Sequence, residues 1–178
     1  KPGAYRTYQI TEIHMDEVYD CNRVTCPCPV TDEQKKAFED MAFKIAETLE
    51  LHGIMDLEVI DDDGIFKILE IDARIPSQTP SAVLHSTGVN LLTELVDLFE
   101  NRWDQGTGLM RLEPSIERFA SYEHHYLSNG VLQSPGEHIM GSPGPLHLYR
   151  NYLGCDEVLT DFKAGDEIFR GTFINSGS

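Results

Sequence analysis

The order of apolar and polar residues predicts one long helix in the first third of the chain. Thr31 followed by Gln34 is the pattern of a capping box, and apolar residues recur at helical spacing from there to Gly53. We therefore expect a helix over residues 32–51. Its apolar stripe, which should pack on a sheet, consists of Ala37, Phe38, Met41, Ala42, Ile45 and Leu49. The acidic positions expected to face solvent are Glu39, Asp40 and Glu47.

A second helical stretch is divided in two by Gly88. Thr79 precedes Pro80 and is expected to cap the first helix, with the proline at its first helical position. Asn90 is expected to cap the second helix, over residues 91–100. The residues expected to face inward on that helix are Leu92, Leu95, Val96 and Phe99.

Strand patterns precede and separate these helices. Residues 5–24 contain short alternating runs, which predict one or two strands. Residues 54–60 and 65–71 are two aliphatic runs on either side of an acidic Asp-Gly turn. Two such runs around this turn signal predict a β-hairpin.

The C-terminal part is expected to consist mostly of strands and loops. From Phe119 onward, short apolar runs are separated by turn dipeptides such as Asn129-Gly130. Residues 101–112 are expected to form a surface connection. The fold class is therefore α+β, an antiparallel sheet with packed helices followed by a β-rich end, and we place a division between residues 1–112 and 113–178.

The charge of the chain narrows the classes of function. Asp and Glu number 30 against 14 Lys and Arg, so the formal net charge is −16. Such a surface repels the phosphates of nucleic acids and anionic lipids, so we expect no nucleic-acid or membrane partner. No run approaches the roughly 20 apolar residues that span a bilayer, and we expect a cytoplasmic protein.

The four cysteines favour reduced structural thiols. Cys21, Cys26 and Cys28 lie close together, whereas Cys155 stands alone near the other end. That spacing disfavours a disulfide scaffold. A structural zinc site is disfavoured as well, because no further pair of Cys or His completes a tetrahedral ligand set.

The predicted hairpin carries carboxylates on both strands. Side chains alternate in a strand, so Asp56 and Glu58 share one face of the first strand, and Glu70 and Asp72 share one face of the second. A three-residue turn at residues 62–64 would place Asp56 opposite Glu70. Facing carboxylates of this kind suit magnesium held together with substrate phosphates. The alternative is a solvated acidic face on an acidic protein.

The sequence around this hairpin resembles the ATP-grasp ligases. The run Glu-Ile-Asp-Ala-Arg-Ile-Pro-Ser-Gln-Thr-Pro at residues 70–80 is similar to the strand-end signature of the lysine-ligase branch that acts in pyrrolysine biosynthesis. Residues 53–58, 86–91 and the Tyr-Asp-Cys motif at residues 19–21 resemble the same branch in the same order. The resemblance covers residues 19–99 well and is weaker beyond Arg118.

The resemblance implies a fold and a set of metal ligands. The chain would be the C-terminal part of an ATP-grasp fold, with two Mg2+ ions on the phosphates of ATP. Glu70 would bridge both ions, Asp56 would bind one, and Asp72, in place of the commoner Asn, would bind the other. Arg74 matches an arginine near the reacting phosphate and is the candidate catalytic residue. The alternative for Arg74 is a salt bridge to a neighbouring carboxylate.

Five further residues are candidates for substrate binding. Glu58 and Asp20 would bind substrate ammonium groups, although a solvated acid explains both. The segment just past the strand would contact the amino-acid substrate through Ser77, Gln78 and Thr79. The alternative for Thr79 is the helix cap predicted above.

The implied reaction forms an amide bond. ATP would phosphorylate the carboxylate of a D-ornithine-type amino acid, 3-methylornithine, and the side-chain amine of lysine would attack this acyl phosphate. The products are an amide, ADP and phosphate. Complete ATP-grasp ligases are longer and have an N-terminal half that holds the nucleotide. We therefore expect this chain to be a fragment whose partner is that missing half, to be inactive alone, and to bind ATP weakly.

Two other interpretations remain open at this stage. One is an ATP-grasp ligase of another substrate class, such as a peptide or D-alanine ligase, which has similar metal residues. The other is a non-catalytic acidic module that holds calcium at residues 61–63, although this turn lacks the alternating ligands and closing glutamate of an EF-hand loop. High calcium affinity would favour the module, whereas weak magnesium binding would favour part of a ligase.

Overall fold

A computed structural model describes residues 4–102, 108–111, 117–142 and 144–177. In chain order its elements are β1 Ala4–Thr7, β2 Glu12–Met15, β3 Cys21–Cys26, α1 Asp32–Thr48, β4 Asp56–Asp62, β5 Ile65–Asp72, α2 Thr79–Thr87, α3 Leu91–Phe99, β6 Gly108–Arg111, β7 Phe119–Ser128, β8 Val131–Gln133, a short 3-10 turn Glu137–Met140, β9 His147–Tyr152, β10 Cys155–Thr160 and β11 Ile168–Gly177. This composition confirms the α+β class.

One large antiparallel sheet organises the described part of the chain. Its strands lie in the order β2, β3, β7, β11, β10, β9, with β8 beside β7. Strand β3 pairs with β7 from Arg23 opposite Glu123 to Cys26 opposite Ala120. The sheet thus joins strands from both sides of the division at residues 112 and 113, and that division stays a prediction.

The secondary structure of two segments, residues 5–24 and 101–112, differs from that predicted from the sequence. The opening stretch forms three strands, not one or two, because β1 separates from the large sheet and pairs in parallel with β6. Part of the supposed surface connection is therefore a strand, since residues 108–111 form β6. Residues 103–107 and 112 of that connection lie outside the described residues.

The core lies where α2 and the start of α3 pack on the sheet. It contains Val24 and Cys26 from β3, Ala82 and Val83 from α2, and Leu91 from α3. These side chains are between 0% and 6% exposed. All four cysteines are free, as expected. None of the helices in the described residues is long and apolar enough to cross a bilayer.

Helix α1 begins as predicted and buries one acid that was expected to face solvent. The Thr31 side chain accepts from the Gln34 backbone N–H, and the Gln34 side chain accepts from the Thr31 backbone, which confirms the capping box. The helix ends at Thr48, before residue 51. Asp40 and Glu47 are exposed, but Glu39 is only 3% exposed. The prediction for Glu39 is wrong because positions 39, 43 and 46 share one helix face, and that face is turned inward.

The two helices after the hairpin are divided as predicted, but the cap of α2 and the inward face of α3 differ from the prediction. Gly88, at φ 77°, ends α2, and Asn90 Oδ1 accepts from the backbone of the next helix, as expected. The capping residue of α2 is Gln78, not Thr79, so Thr79 is the first helical residue and Pro80 the second. The inward assignment on α3 is wrong for Leu92, Val96 and Phe99, which are 59%, 48% and 57% exposed. The helix packs on the core through Leu91 instead, which is 6% exposed.

Replacing Thr31 with Ala tests how much the capping box stabilises α1. The change removes the acceptor for the Gln34 backbone N–H, and we expect the free energy of unfolding to fall by about 1 kcal/mol. Urea unfolding followed by far-UV circular dichroism measures it. Thr31→Ser retains the hydroxyl and should stay close to the parent. Equal stabilities for all three proteins would contradict this account.

Candidate functional site

The register of the β4–β5 hairpin decides which carboxylates face each other. Asp56 lies opposite Asp72, and Glu58 lies opposite Glu70. The predicted three-residue turn and the pairing of Asp56 with Glu70 are therefore wrong. Asp63 and Gly64 form a two-residue turn with φ values of 52° and 85°, and both values belong to the left-handed region that hairpin turns favour.

A bulge in the hairpin completes the explanation of this register. Glu58 pairs with Glu70, whereas the next residue, Val59, pairs with Ile68. Leu69 is therefore an extra residue in β5. A bulge changes which residues of two strands face each other beyond it. The sequence contains no local signal for this extra residue.

Four carboxylates of the hairpin, those far from its turn, project from the same face of the two strands. Directly opposite residues in an antiparallel pair point to the same side, and residues two apart on one strand share a face. Leu57, between Asp56 and Glu58, is 8% exposed and projects to the other side, into the interior. Asp56, Glu58 and Asp72 are half-buried, and Glu70 is exposed. We call Asp56, Glu58, Glu70 and Asp72 the carboxylate face.

Burial and mutual repulsion act on this carboxylate face. Burial raises the pKa of Asp56, and the neighbouring Asp72 raises it further. Burial likewise raises the pKa of Glu58, with contributions from Asp56, Glu70 and Asp72. Carboxylates that raise one another's pKa values lie close enough to repel, and a bound cation relieves such repulsion.

The cation nearest this face is Arg74. Its Nη2 lies 2.7 Å from Asp72 Oδ2, so the salt bridge considered as an alternative for Arg74 is present. The arginine side chain is 61% exposed. An exposed ion pair of this kind contributes little to stability, so the guanidinium can exchange this partner for another anion at small cost.

The donor set of the carboxylate face fits magnesium. Its oxygens are the hard ligands that this ion prefers. Within the described residues, these carboxylates do not bring three ligand atoms within 4.8 Å of one another. Magnesium commonly takes one or two protein carboxylates and completes its octahedron with substrate phosphates and water, so a tighter cage is not required.

The segment after β5 leads from Arg74 to the buried residue Gln78, whose side-chain partners are the half-buried Cys21 and the exposed Glu137. Gln78 is 5% exposed. Its Nε2 donates to Glu137 Oε2 at 2.7 Å, and its Oε1 accepts from the Cys21 thiol at 2.9 Å. Ser77 Oγ lies 3.4 Å from the same Glu137 oxygen, and Thr79 is half-buried at the start of α2. The structure therefore brings Ser77 and Gln78 together with a residue from the C-terminal part.

Asp20 takes part in a second acidic cluster. Its Oδ2 accepts from the backbone N–H of His138 at 3.0 Å and lies 2.5 Å from His138 Nδ1. Burial acts to raise the pKa of Asp20, but the hydrogen bonds from His138 outweigh it and the pKa is lowered. Asp16, Asp20 and His138 each offer one ligand atom within 4.8 Å of the others. Backbone N–H groups already donate hydrogen bonds to the carboxylates of Asp16 and Asp20. We therefore interpret this cluster as a set of hydrogen bonds that fixes the loop.

Sequence reasoning did not identify Glu137 or His138. Both lie just after the Pro135-Gly136 turn, which marks a loop but says nothing about its surroundings. Only the sheet brings this loop beside Asp20 and Gln78, which are more than 50 residues away in sequence. The adjacent histidines of β7 have separate structural surroundings, because His124 is buried against Thr172 while His125 packs on Phe173.

Curated proteins of known activity resemble this chain. The 3-methyl-D-ornithine--L-lysine ligase of Methanosarcina mazei is 39% identical over 150 residues, which are 84% of this chain and 38% of that protein. The ligase of the same name from Methanosarcina acetivorans is 39% identical over 164 residues, which are 92% of this chain and 42% of that protein. The chain thus spans about two fifths of the length of these relatives. No family model matches the sequence.

Solved structures share the fold at low sequence identity. An ADP complex of N5-carboxyaminoimidazole ribonucleotide synthetase has a TM-score of 0.56 and 16% identity, and covers 94% of this chain and 40% of that one. The biotin carboxylase domain of a single-chain bacterial carboxylase has a TM-score of 0.56 and 12% identity, and covers 92% of this chain and 37% of that one. These neighbours have ATP-grasp domains, which confirms the predicted fold.

Replacing Asp56 with Asn tests the strain on the carboxylate face. A carboxyl whose pKa is raised in the folded state contributes stability at low pH that is lost as pH rises through the folded pKa. Asn does not ionise, so the free energy of unfolding of Asp56→Asn should increase relative to the parent between about pH 3 and pH 7. Denaturant unfolding across that range measures it.

Asp161 provides a control of opposite sign. Burial acts to raise its pKa, but hydrogen bonds from the Gly144 backbone and Arg170 outweigh it and the pKa is lowered. Asp161→Asn should therefore lose stability relative to the parent as pH rises. A pH-independent difference for Asp56→Asn, or one with the same sign as Asp161→Asn, would contradict the electrostatic account.

Proposed function

Because the chain belongs to the ATP-grasp family of the 3-methyl-D-ornithine--L-lysine ligases, we propose that it forms the metal- and phosphate-binding part of such an enzyme. The whole enzyme would join the carboxylate of 3-methylornithine, a D-ornithine-type amino acid, to the side-chain amine of L-lysine in pyrrolysine biosynthesis. The observation that carries this proposal is the carboxylate face of the hairpin, which is followed directly by Arg74.

The carboxylate face would hold magnesium beside the phosphates of ATP. The residues that would hold magnesium are Asp56, Glu70 and Asp72. Bound magnesium neutralises phosphate charge and orients the γ-phosphate for in-line transfer. The half-buried positions of Asp56 and Asp72 favour this role, because repulsion between carboxylates facing each other is relieved when a cation lies between them.

Arg74 would act on the reacting phosphoryl group. In the amide-forming sequence, the substrate carboxylate attacks the γ-phosphorus of ATP and ADP leaves. The lysine amine then attacks the acyl carbon, and phosphate leaves. Negative charge builds on phosphoryl oxygens in both steps, and a planar guanidinium binds two such oxygens at once. Because its ion pair with Asp72 is exposed, this side chain would exchange the carboxylate for a phosphoryl oxygen with little loss of free energy.

The amino-acid side of the proposed site lies next to the phosphate side. Burial raises the pKa of the Cys21 thiol to about 11, and Glu137, Asp20 and Glu58 contribute to the shift. Carboxylates from the hairpin and from the Asp20 loop are therefore close enough to act on the same half-buried thiol. We propose that Glu58 and Asp20 attract the ammonium groups of the two basic substrates. Contacts to the substrate would come from the segment Ser77, Gln78 and Thr79.

The chain would work together with the rest of the ligase. Its curated relatives are more than twice as long as the part that it matches. We propose that the remaining part holds the adenine nucleotide against the carboxylate face. The substrates would be ATP, lysine and methylornithine, with Mg2+ as the cofactor.

Replacing Glu70 with Gln in the whole ligase tests the metal site. We expect kcat/KM to fall by about 100-fold, because charge stabilisation at a phosphoryl group is lost. The assay supplies ATP, Mg2+, lysine and methylornithine, and follows the dipeptide-like product by mass. Glu47→Gln, which changes an exposed glutamate of α1, is the control and should behave like the parent. Phosphate release with other amino acids only would favour a ligase of another substrate class.

Replacing Arg74 with Lys in the same protein separates charge from geometry. Lysine keeps the positive charge but cannot bind two phosphoryl oxygens in one plane. We expect kcat to fall by about 10- to 100-fold with little change in the KM for ATP. Steady-state kinetics with ATP varied at saturating amino acids measures both constants. An unchanged kcat would favour a role for Arg74 limited to its salt bridge with Asp72.

A further inference from the structure

A buried amide connects the segment that carries Arg74 to the C-terminal part of the chain. Gln78 lies four residues after Arg74, and its side chain is bonded at both ends. The Cys21 thiol of β3 donates to its Oε1, and its Nε2 donates to Glu137 Oε2. These two partners fix which end of the amide points to which side. Each end keeps one further hydrogen-bonding capacity, since an amide carries two N–H groups and two carbonyl lone pairs.

Glu137 is itself held in place by its neighbours on both sides. The backbone N–H of Gly136 donates to Asp16 Oδ2 at 2.8 Å, and the backbone N–H of His138 donates to Asp20 Oδ2 at 3.0 Å. Two anchors from the β2–β3 loop therefore flank Glu137, the residue of this turn that bonds to the Gln78 side chain.

Glycine at position 136 allows this close approach. A Cβ atom there would lie 2.3 Å from the Cγ and Oδ2 atoms of Asp20, which is far inside van der Waals contact. Only glycine allows the loop to approach Asp20 this closely and to place Glu137 against Gln78. The position of Glu137 thus depends on the loop backbone as well as on side-chain hydrogen bonds.

We propose that Glu137 is a positioning residue for the ligase reaction, which acts by holding Gln78 and, through it, the segment from Arg74 to Gln78. The proposal rests on the proposed function. It gives the β-rich C-terminal part a role in the active site, because this part supplies the acceptor that orients Gln78. A charged acceptor 2.7 Å from the amide nitrogen makes a stronger bond than a neutral one.

Glu137 is exposed, so water would take its place as the acceptor, and a bond to water holds the segment less firmly than a charge-assisted one. Gln78 lies at the capping position of α2, directly after the segment that contains Arg74 and Ser77. A rotation of its amide away from that site would break the bond from Cys21 as well. Small displacements of a group that contacts reacting atoms reduce rates strongly.

The first test replaces Glu137 with Ala or Gln in the whole ligase. Ala removes the acceptor, and we expect kcat to fall by about 10- to 100-fold while the KM for ATP changes less than about twofold. Gln keeps an oxygen acceptor and should retain kcat within about threefold of the parent. Glu47→Ala on α1 is the control for loss of an exposed glutamate. A kcat for Glu137→Ala equal to that of the parent would overturn the proposal.

The second test exchanges the two partners and does not depend on the alanine variant folding. Gln78→Glu alone places two carboxylates together, so we expect kcat to fall by about 10-fold or more at alkaline pH. Adding Glu137→Gln restores one amide and one carboxylate, now exchanged, and should recover most of kcat. Equal kcat values for the single and the exchanged variant would overturn the proposal.

Assays of the parent protein distinguish failure of the proposed function from failure of the positioning role of Glu137. If the parent fails to join lysine to methylornithine, the proposed function is wrong. If the parent is active and the exchange does not restore kcat, the proposed function stands and the positioning role of Glu137 is wrong.

Discussion

Two pairs of like-charged carboxylates face each other across the β4–β5 hairpin, and the proposed chemistry depends on this arrangement. Asp56 opposes Asp72, and Glu58 opposes Glu70. Facing acids destabilise an ordinary antiparallel pair, and burial together with these facing acids raises the pKa values of Asp56 and Glu58. A divalent cation bound with a triphosphate, as proposed, would convert the same repulsion into attraction. In the proposed function, the unfavourable interaction between these acids would favour binding of a metal-bound substrate.

The large sheet brings the other half of the proposed site to this hairpin. Strand β3 carries Cys21 and pairs with β7, and the loop that follows β8 carries Glu137. The hydrogen bonds of Gln78 to both residues connect the two regions. The β-rich C-terminal part therefore does more than cover the core, because it contributes a side chain at the end of the segment that contains Arg74.

Local patterns predicted local structure well and long-range placement poorly. The capping box at Thr31, the cap at Asn90 and the hairpin were all recognisable, because each depends on residues a few positions apart. The register of the hairpin was not, because the extra residue Leu69 leaves no mark in the sequence. The burial of Glu39 was missed for a similar reason, since a helical pattern shows which residues share a face but not what covers it.

By itself, the sequence determined the α+β class, the family and the four carboxylates that alternate along two short runs. These properties follow from periods of two and 3.6 residues and from an eleven-residue motif, all of which are local. Only the tertiary structure decided that Asp56 faces Asp72 and that Glu137 lies against Gln78. Strand register and contacts between distant segments depend on the packing of the whole chain, because the free energies that select them are shared among many residues.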